Sequence, residues 1–312
     1  DFSAGEPRVT DGRTYRFETR EQLGRCLSVA LPEWLPLSPS NATDSSPVTP
    51  GAWNAAVSDD GEWAWIDHEG AVRRDEGCAG PVTGRAERML FVGPRIWVLT
   101  HETLYRIDGR SLQLLGSEDR GDIVDVAGDG TGGAWLLGQT SIRHVDANGR
   151  SLPSSVASQE TADAIAVAGD AIALLRTSRN RLTLHSKGQP VEIELSEVLG
   201  DDGPRFRAES LSANKLGFLL EGRWDGQAGV LLLDRHGEPS AWGAWDGLKP
   251  QLALLAGSDL YAVSLAEGWV KQFVGAAQAG GTVWLTPALE SETLAGDWLR
   301  ADVAAILPEN AT

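Results

Sequence analysis

The chain has 312 residues, 42% hydrophobic and 23% charged, an ordinary globular composition that excludes wholesale disorder and a collagen-like repeat. Its 44 acids exceed its 27 bases for a net charge of −17, so nucleic acid and anionic lipid are repelled on average and neither is an expected partner. No apolar run reaches the ~18 residues of a spanning helix, so membrane insertion is not expected.

Length alone suggests two domains at ~150 residues each, although closed all-β architectures often use 200 to 250 residues in one. The first residue is Asp1, not Met, which points to a trimmed or processed start; the sequence as given carries no signal peptide. Two cysteines, Cys26 and Cys78, are too few for a disulfide scaffold and read as buried thiols.

In chain order, residues 1–52 stand apart from the rest of the chain. The stretch 14–31 supplies one or two strands, and part of 12–31 is expected to latch a ring shut. The Pro/Ser-rich stretch 35–51 reads as a loop. From residue 53 a repeat begins: DDGEWAWI at 59–66 runs into the hairpin IDHEGAV at 66–72, and VGPRIWVLT at 92–100 is followed by YRIDGRSL at 105–112. The same pattern returns as GDGTGGAWLLG and HVDANGRSL (128–152), AGDAIALLR and LHSKGQPV (168–191), SANKLGFLLEG and LLDRHGEPS (212–240), and AGSDLYAVSL (256–265). Turn-closing glycines at Gly70, Gly109, Gly149, Gly188, Gly237 and Gly268 recur about every 40 residues, the period of a propeller blade.

Three or four short strands per unit and no helical periodicity predict an all-β fold, a β-propeller of six blades over 53–280, with five or seven as the alternatives. Trp63, Trp97, Trp135, Phe218 and Tyr261 recur near the start of the same apolar strand and are expected to pack between blades. Unit five is longer because of EGRWDGQAG at 221–229, read as a protruding hairpin carrying Trp224, with Trp242 and Trp245 just beyond. These three tryptophans are the candidate binding residues, since exposed indole faces stack on ligands.

Catalytic signatures are absent from the sequence. His68, His101, His144, His185 and His236 form no HExxH or i,i+4 pair, so zinc has no support, and four of them fall on or beside hairpin turns. SDDGEWAW at 58–65 misses the spacing of a sialidase-type Asp-box. The acidic clusters 117–125 and 199–203 lack the alternating ligands of a calcium loop. No catalytic residue, metal or cofactor is assigned, and the chain reads as a non-enzyme.

The last stretch, GTVWLTPALESETLAGDWLRADVAAILPENAT from Gly281 to Thr312, leaves the repeat and is read as a short C-terminal β extension. It resembles the segment that follows a propeller in a family of phage-tail-like proteins of contractile injection systems. The matching residues are Thr286, Pro287, Leu289, Ser291, Trp298, Arg300, Leu307, Pro308 and Thr312, while Glu290, Glu292 and Leu299 replace the Asp, Gly and His of the family pattern. The resemblance implies a baseplate-associated structural component that assembles in the cytoplasm and is carried outside the cell with the particle. Its partners would be other tail or baseplate proteins, with the propeller facing a protein, a receptor or a surface glycan. On that view Trp298, Leu299 and Arg300 belong to an assembly interface, and 281–312 starts a second β module or docks on a partner. Two other functions stay open from the residues alone: a carbohydrate- or ligand-binding propeller, and a propeller lyase or glycosidase.

Overall fold

The computed structural model describes residues 27–45, 47–74, 77–153, 161–186, 189–200, 203–278 and 281–285. Within residues 32–280 the chain forms a six-bladed β-propeller of antiparallel blades. The innermost strands, Asn54–Val57, Ala86–Val92, Ile123–Gly128, Ala164–Ala168, Phe206–Ala213 and Leu252–Ala256, neighbour one another in that order and return to the first, closing the ring. The second strand of each blade is the apolar one, and its large residues Trp63, Trp97, Trp135, Phe218 and Tyr261 are buried as expected. A sheet with two apolar faces cannot stand alone in water, and each blade covers its neighbour.

The turns owe their recurrence to one device. Asp67, Asp146 and Asp234 each accept amide hydrogens from residues two and four positions on, and the residue between, Gly70, Gly149 or Gly237, sits at φ 82°, 81° or 86°. That left-handed conformation is why the turn closes on glycine. The Arg150 amide holds the Asp146 carboxyl below its ordinary value. Burial pushes Asp67 upward, but the Arg73 guanidinium 2.6 Å away and two amides together outweigh it and leave the group lowered.

The glycine marks do not all occupy one place in the blade. Gly70 and Gly268 lie in turns between second and third strands, whereas Gly109, Gly149 and Gly237 lie between third and fourth; Gly188 falls outside the described residues. Similar turn chemistry at two positions in a blade therefore mimics a single strict period.

The ring is closed by a strap formed by residues 33–45 and 47–48, which overlaps the stretch 35–51 read as a loop. Glu33–Trp34 adds a parallel fifth strand to blade five, pairing with Ala241 and Trp242. Leu35 donates its amide to Trp242 at 2.7 Å, and Leu37 bridges Trp245. Thr43–Ser45 then supplies the outer strand of blade six, pairing with Val270–Gln272, and Lys271 meets Asp44 in an ion pair. Of the latch expected within 12–31, residues 12–26 lie outside the described residues. Its described part, Leu27–Leu31, pairs antiparallel with Gly281–Leu285 in a separate two-stranded unit, and the open edge of blade six is already filled by 43–45.

Leu35 and Leu37 are buried, and Gly243 allows the strap to lie close: a Cβ there would stand 2.5 Å from the Leu35 carbonyl oxygen. Gly243→Ala is therefore expected to lift the strap and lower the melting temperature. A ΔΔG below about 0.5 kcal/mol, the usual size for an innocuous substitution, would show that the strap tolerates displacement.

Each seam between blades carries a hydrogen bond. Arg74 donates to the Gly109 carbonyl and Arg95 to the Ala147 carbonyl, and Asp125 accepts the Ile165 amide at 2.9 Å. Asn180 accepts the Ala208 amide at 2.8 Å, Glu221 accepts the Ala253 amide at 2.9 Å, and the Gly51 amide reaches Leu265 at 2.8 Å. Inner strands of different blades are not laddered together, so amides and carbonyls facing a seam find their partners outside the strand ladders.

Candidate functional site

Two places concentrate chemistry: the ring's centre and the flank of blade five. At the centre, Arg88 leaves the inner strand of blade two and donates Nη2 to the Leu211 carbonyl of blade five, the opposite blade, at 2.9 Å. Its Nε stands 3.6 Å from Asp125 Oδ1 of blade three. Asp125 is buried and Glu221 half-buried; desolvation raises both carboxyls, and Glu221 is pushed up to about 7. These groups bind backbone amides of the next blade and tie the ring together across its middle. The signal for them is visible in hindsight: charges set inside the apolar stretches AERMLFV, IVDVAG and GFLLEGRW.

The flank of blade five is aromatic. Phe206, Trp224, Trp242 and Trp34 form a chain with ring centroids 4.6, 4.7 and 4.4 Å apart, running from the core to the surface. Of the three predicted tryptophans, the structure brings Trp224 and Trp242 together and sets Trp245 elsewhere, 6.0 Å from Phe273. Trp224 is only 4% exposed and Trp245 7%, which removes both as ligand-stacking anchors. The hairpin at 221–229 continues the blade's own second and third strands, which stay paired up to Trp224 and Gln227 and end in an exposed turn at 225–228. Asp225 and Gly226, both at positive φ, turn the chain in two residues with the twist the strands need. This turns Trp224 inward, where its indole donates to the Val230 carbonyl at 3.0 Å.

The exposed anchor is Trp34, 49% accessible and set edge-on against Trp242. Sequence reasoning misses it because Trp34 falls between the strands expected within 14–31 and the loop read over 35–51.

His144 is the histidine built most firmly into the fold, stacked on Trp135 at 4.3 Å with Nε2 2.8 Å from Asp129. The Asp129 carboxylate in turn accepts the Thr131 and Gly133 amides, so this set pins a turn in blade three. His68 and His101 have exposed side chains. Among the described residues no three His, Cys, Asp or Glu side chains gather as metal ligands. Trp298, Leu299 and Arg300 lie outside the described residues.

A scan of protein-family models and a search of curated proteins each give no match. Among solved structures, the chain is similar to BamB from Moraxella catarrhalis (13% identity, 70% of this chain and 81% of that one, TM-score 0.43). It is also similar to the Pan2 WD40 domain from Neurospora crassa (12%, 82% and 89%, 0.46). A third is regucalcin, a calcium-binding protein from Agrobacterium tumefaciens (13%, 78% and 95%, 0.48).

Proposed function

We propose that this chain is a non-enzymatic interaction module whose propeller contacts a protein partner through the flank of blade five. The observation that carries this reading is the half-exposed Trp34 on a fifth strand, backed by Trp242. Tryptophans held rigidly over a packed core dominate contact energies because they bury much area and lose little conformational freedom. Trp34 lies at the end of a chain of rings rooted in Phe206, so its backing is already ordered before a partner arrives. The finer assignment, a component of a phage-tail-like contractile particle joined to other tail or baseplate proteins, rests on the resemblance of residues 286–312 alone.

Trp34→Ala is expected to leave the propeller folded and to weaken partner binding by about tenfold or more, the effect of a hot-spot side chain. The measurement is incorporation of the variant into particles isolated from cells that express the whole assembly. Normal incorporation of a folded variant would refute the contact. The second reading, a surface glycan stacked on the same indole, predicts instead that Trp34→Ala abolishes binding to immobilised glycans while incorporation stays normal.

A further inference from the structure

At the outer mouth of the seam between blades four and five, the blade-four side has an open edge. Val191–Glu194 is the outer strand of blade four, and among the described residues no strand pairs with its far side. Val191 and Ile193 stand opposite Leu184 and Leu182 on the face turned towards blade five, where Ile193 and Trp242 pack against one apolar cluster. Val191 is 52% exposed, and on the blade-five side Trp34 ends the aromatic chain rooted in that cluster. Glu192 and Glu194 alternate onto the other face and share one guanidinium, Arg181, at 2.7 and 3.4 Å. The Leu195 amide donates to the Asn180 carbonyl at 3.1 Å, which fixes the alternation of the ladder. Ile193 and Val191 are therefore hydrogen-bonded to the third strand, while the N–H and C=O of Glu192 and the N–H of Glu194 point away from it. Blade five covers its own outer strand with Glu33–Trp34; blade four is left without such a cover.

We propose that the partner enters as an extended strand added to the open edge of Val191–Glu194, its apolar side chains against Val191 and Trp34 and its basic side chains over Glu192 and Glu194, a reading that rests on the contact at Trp34. An unpaired edge offers main-chain hydrogen bonds to a strand, and the alternate side chains select which strand is taken. Two carboxylates on one guanidinium leave a negative charge on one face, and the exposed Glu33 adds another on the blade-five side. A second copy of this chain fits that edge poorly. Paired antiparallel in full register, it would set Val191 against Glu194 and Glu192 against Ile193. Shifted by one residue, or paired parallel in register, it would bring Glu192 against Glu192, and like charges directly opposite are destabilising. A strand that alternates basic and apolar residues meets both faces.

The probe is a short peptide of alternating lysine and valine, with a glutamate–valine peptide as charge control. Binding is measured by fluorescence anisotropy on the wild type, Glu192→Pro, Glu192→Ala and Trp34→Ala, and amide exchange at Glu192 and Glu194 is followed in the wild type. Proline is accepted on an edge strand where its missing N–H faces outward, and alanine removes the same ion pair but keeps the N–H. The lysine peptide is expected to protect both amides and the glutamate peptide neither. Glu192→Pro is expected to weaken binding by about tenfold or more, the effect of a lost main-chain hydrogen bond and an unpaired group opposite it, with Glu192→Ala weakening it far less. Trp34→Ala is expected to weaken binding as well. Equal binding by the proline and alanine variants, or unprotected amides, would overturn the strand addition; a loss confined to Trp34→Ala would then leave the Trp34 contact standing. Full binding by Trp34→Ala would remove the contact on which the reading rests. Dimerisation of the wild type that Glu192→Pro abolishes would assign the edge to a second copy and overturn the proposal. Should Glu192→Pro not fold, protection of the two wild-type amides by the lysine peptide decides in the same sense.

Discussion

Removing residues 1–48 is expected to abolish folding of the propeller, while removing 1–31 leaves it folded. The strap buries Leu35, Leu37 and Val48, and a fully buried aliphatic side chain contributes about 1.5–3 kcal/mol. Its loss also strips Thr43–Ser45 from the outer edge of blade six and the fifth strand from blade five. A domain of this kind is stable by roughly 5–15 kcal/mol in total, so the strap's share is comparable with the whole. The residues before it contribute no described strand to any blade. Circular dichroism and thermal melting of the two truncations decide the point. A folded 49–312 chain, or an unfolded 32–312 chain, would place the closure elsewhere.

Trp97→Ala and Trp224→Ala are each expected to cost about 3–5 kcal/mol, the range for emptying a large aromatic site in a core. Trp97 is fully buried in the second strand of blade two, among Leu99, Leu104, Val126 and Leu136. Trp224 fills the space between Phe206 and Trp242 on the face of blade five turned towards blade four, and its loss would leave the Val230 carbonyl short of a donor. Trp34→Ala, half exposed at the end of the same aromatic chain, is expected to cost far less. Denaturant unfolding of the three variants makes the comparison. Equal losses at Trp34 and Trp224 would mean that the surface indole is structural and would remove the basis for a contact there.

The contrast between these tryptophans marks where sequence reading works and where it stops. Blade number and the buried second strands were legible because runs such as RIWVLT and AIALLR have one physical meaning when they recur after short polar turns. Blade phase was not, because Asp67 to Ala71 and Asp146 to Arg150 build the same turn between different strand pairs. The strap was hidden because three prolines break the alternation around Leu35 and Leu37, and its pairing partners lie about two hundred residues away, at Ala241–Trp245 and Val270–Gln272. Trp224 was misplaced for a local reason. A turn of Asp225-Gly226 reads as a tip, and tips are exposed, but here the flanking strands continue on both sides and carry the indole into the core. The central cluster escaped notice because a charge inside an apolar strand has no periodic signature; only the ring brings Arg88 to blade five.

The functional account stands most directly on the contact at Trp34. A photo-crosslinking residue placed at position 34, and in a control at His101, whose exposed side chain lies on blade two, can be activated in the cells that natively make the protein. The account predicts that position 34 crosslinks to a protein partner and that position 101 does not. Crosslinks from position 101 alone, or none from either position in a folded protein, would contradict it.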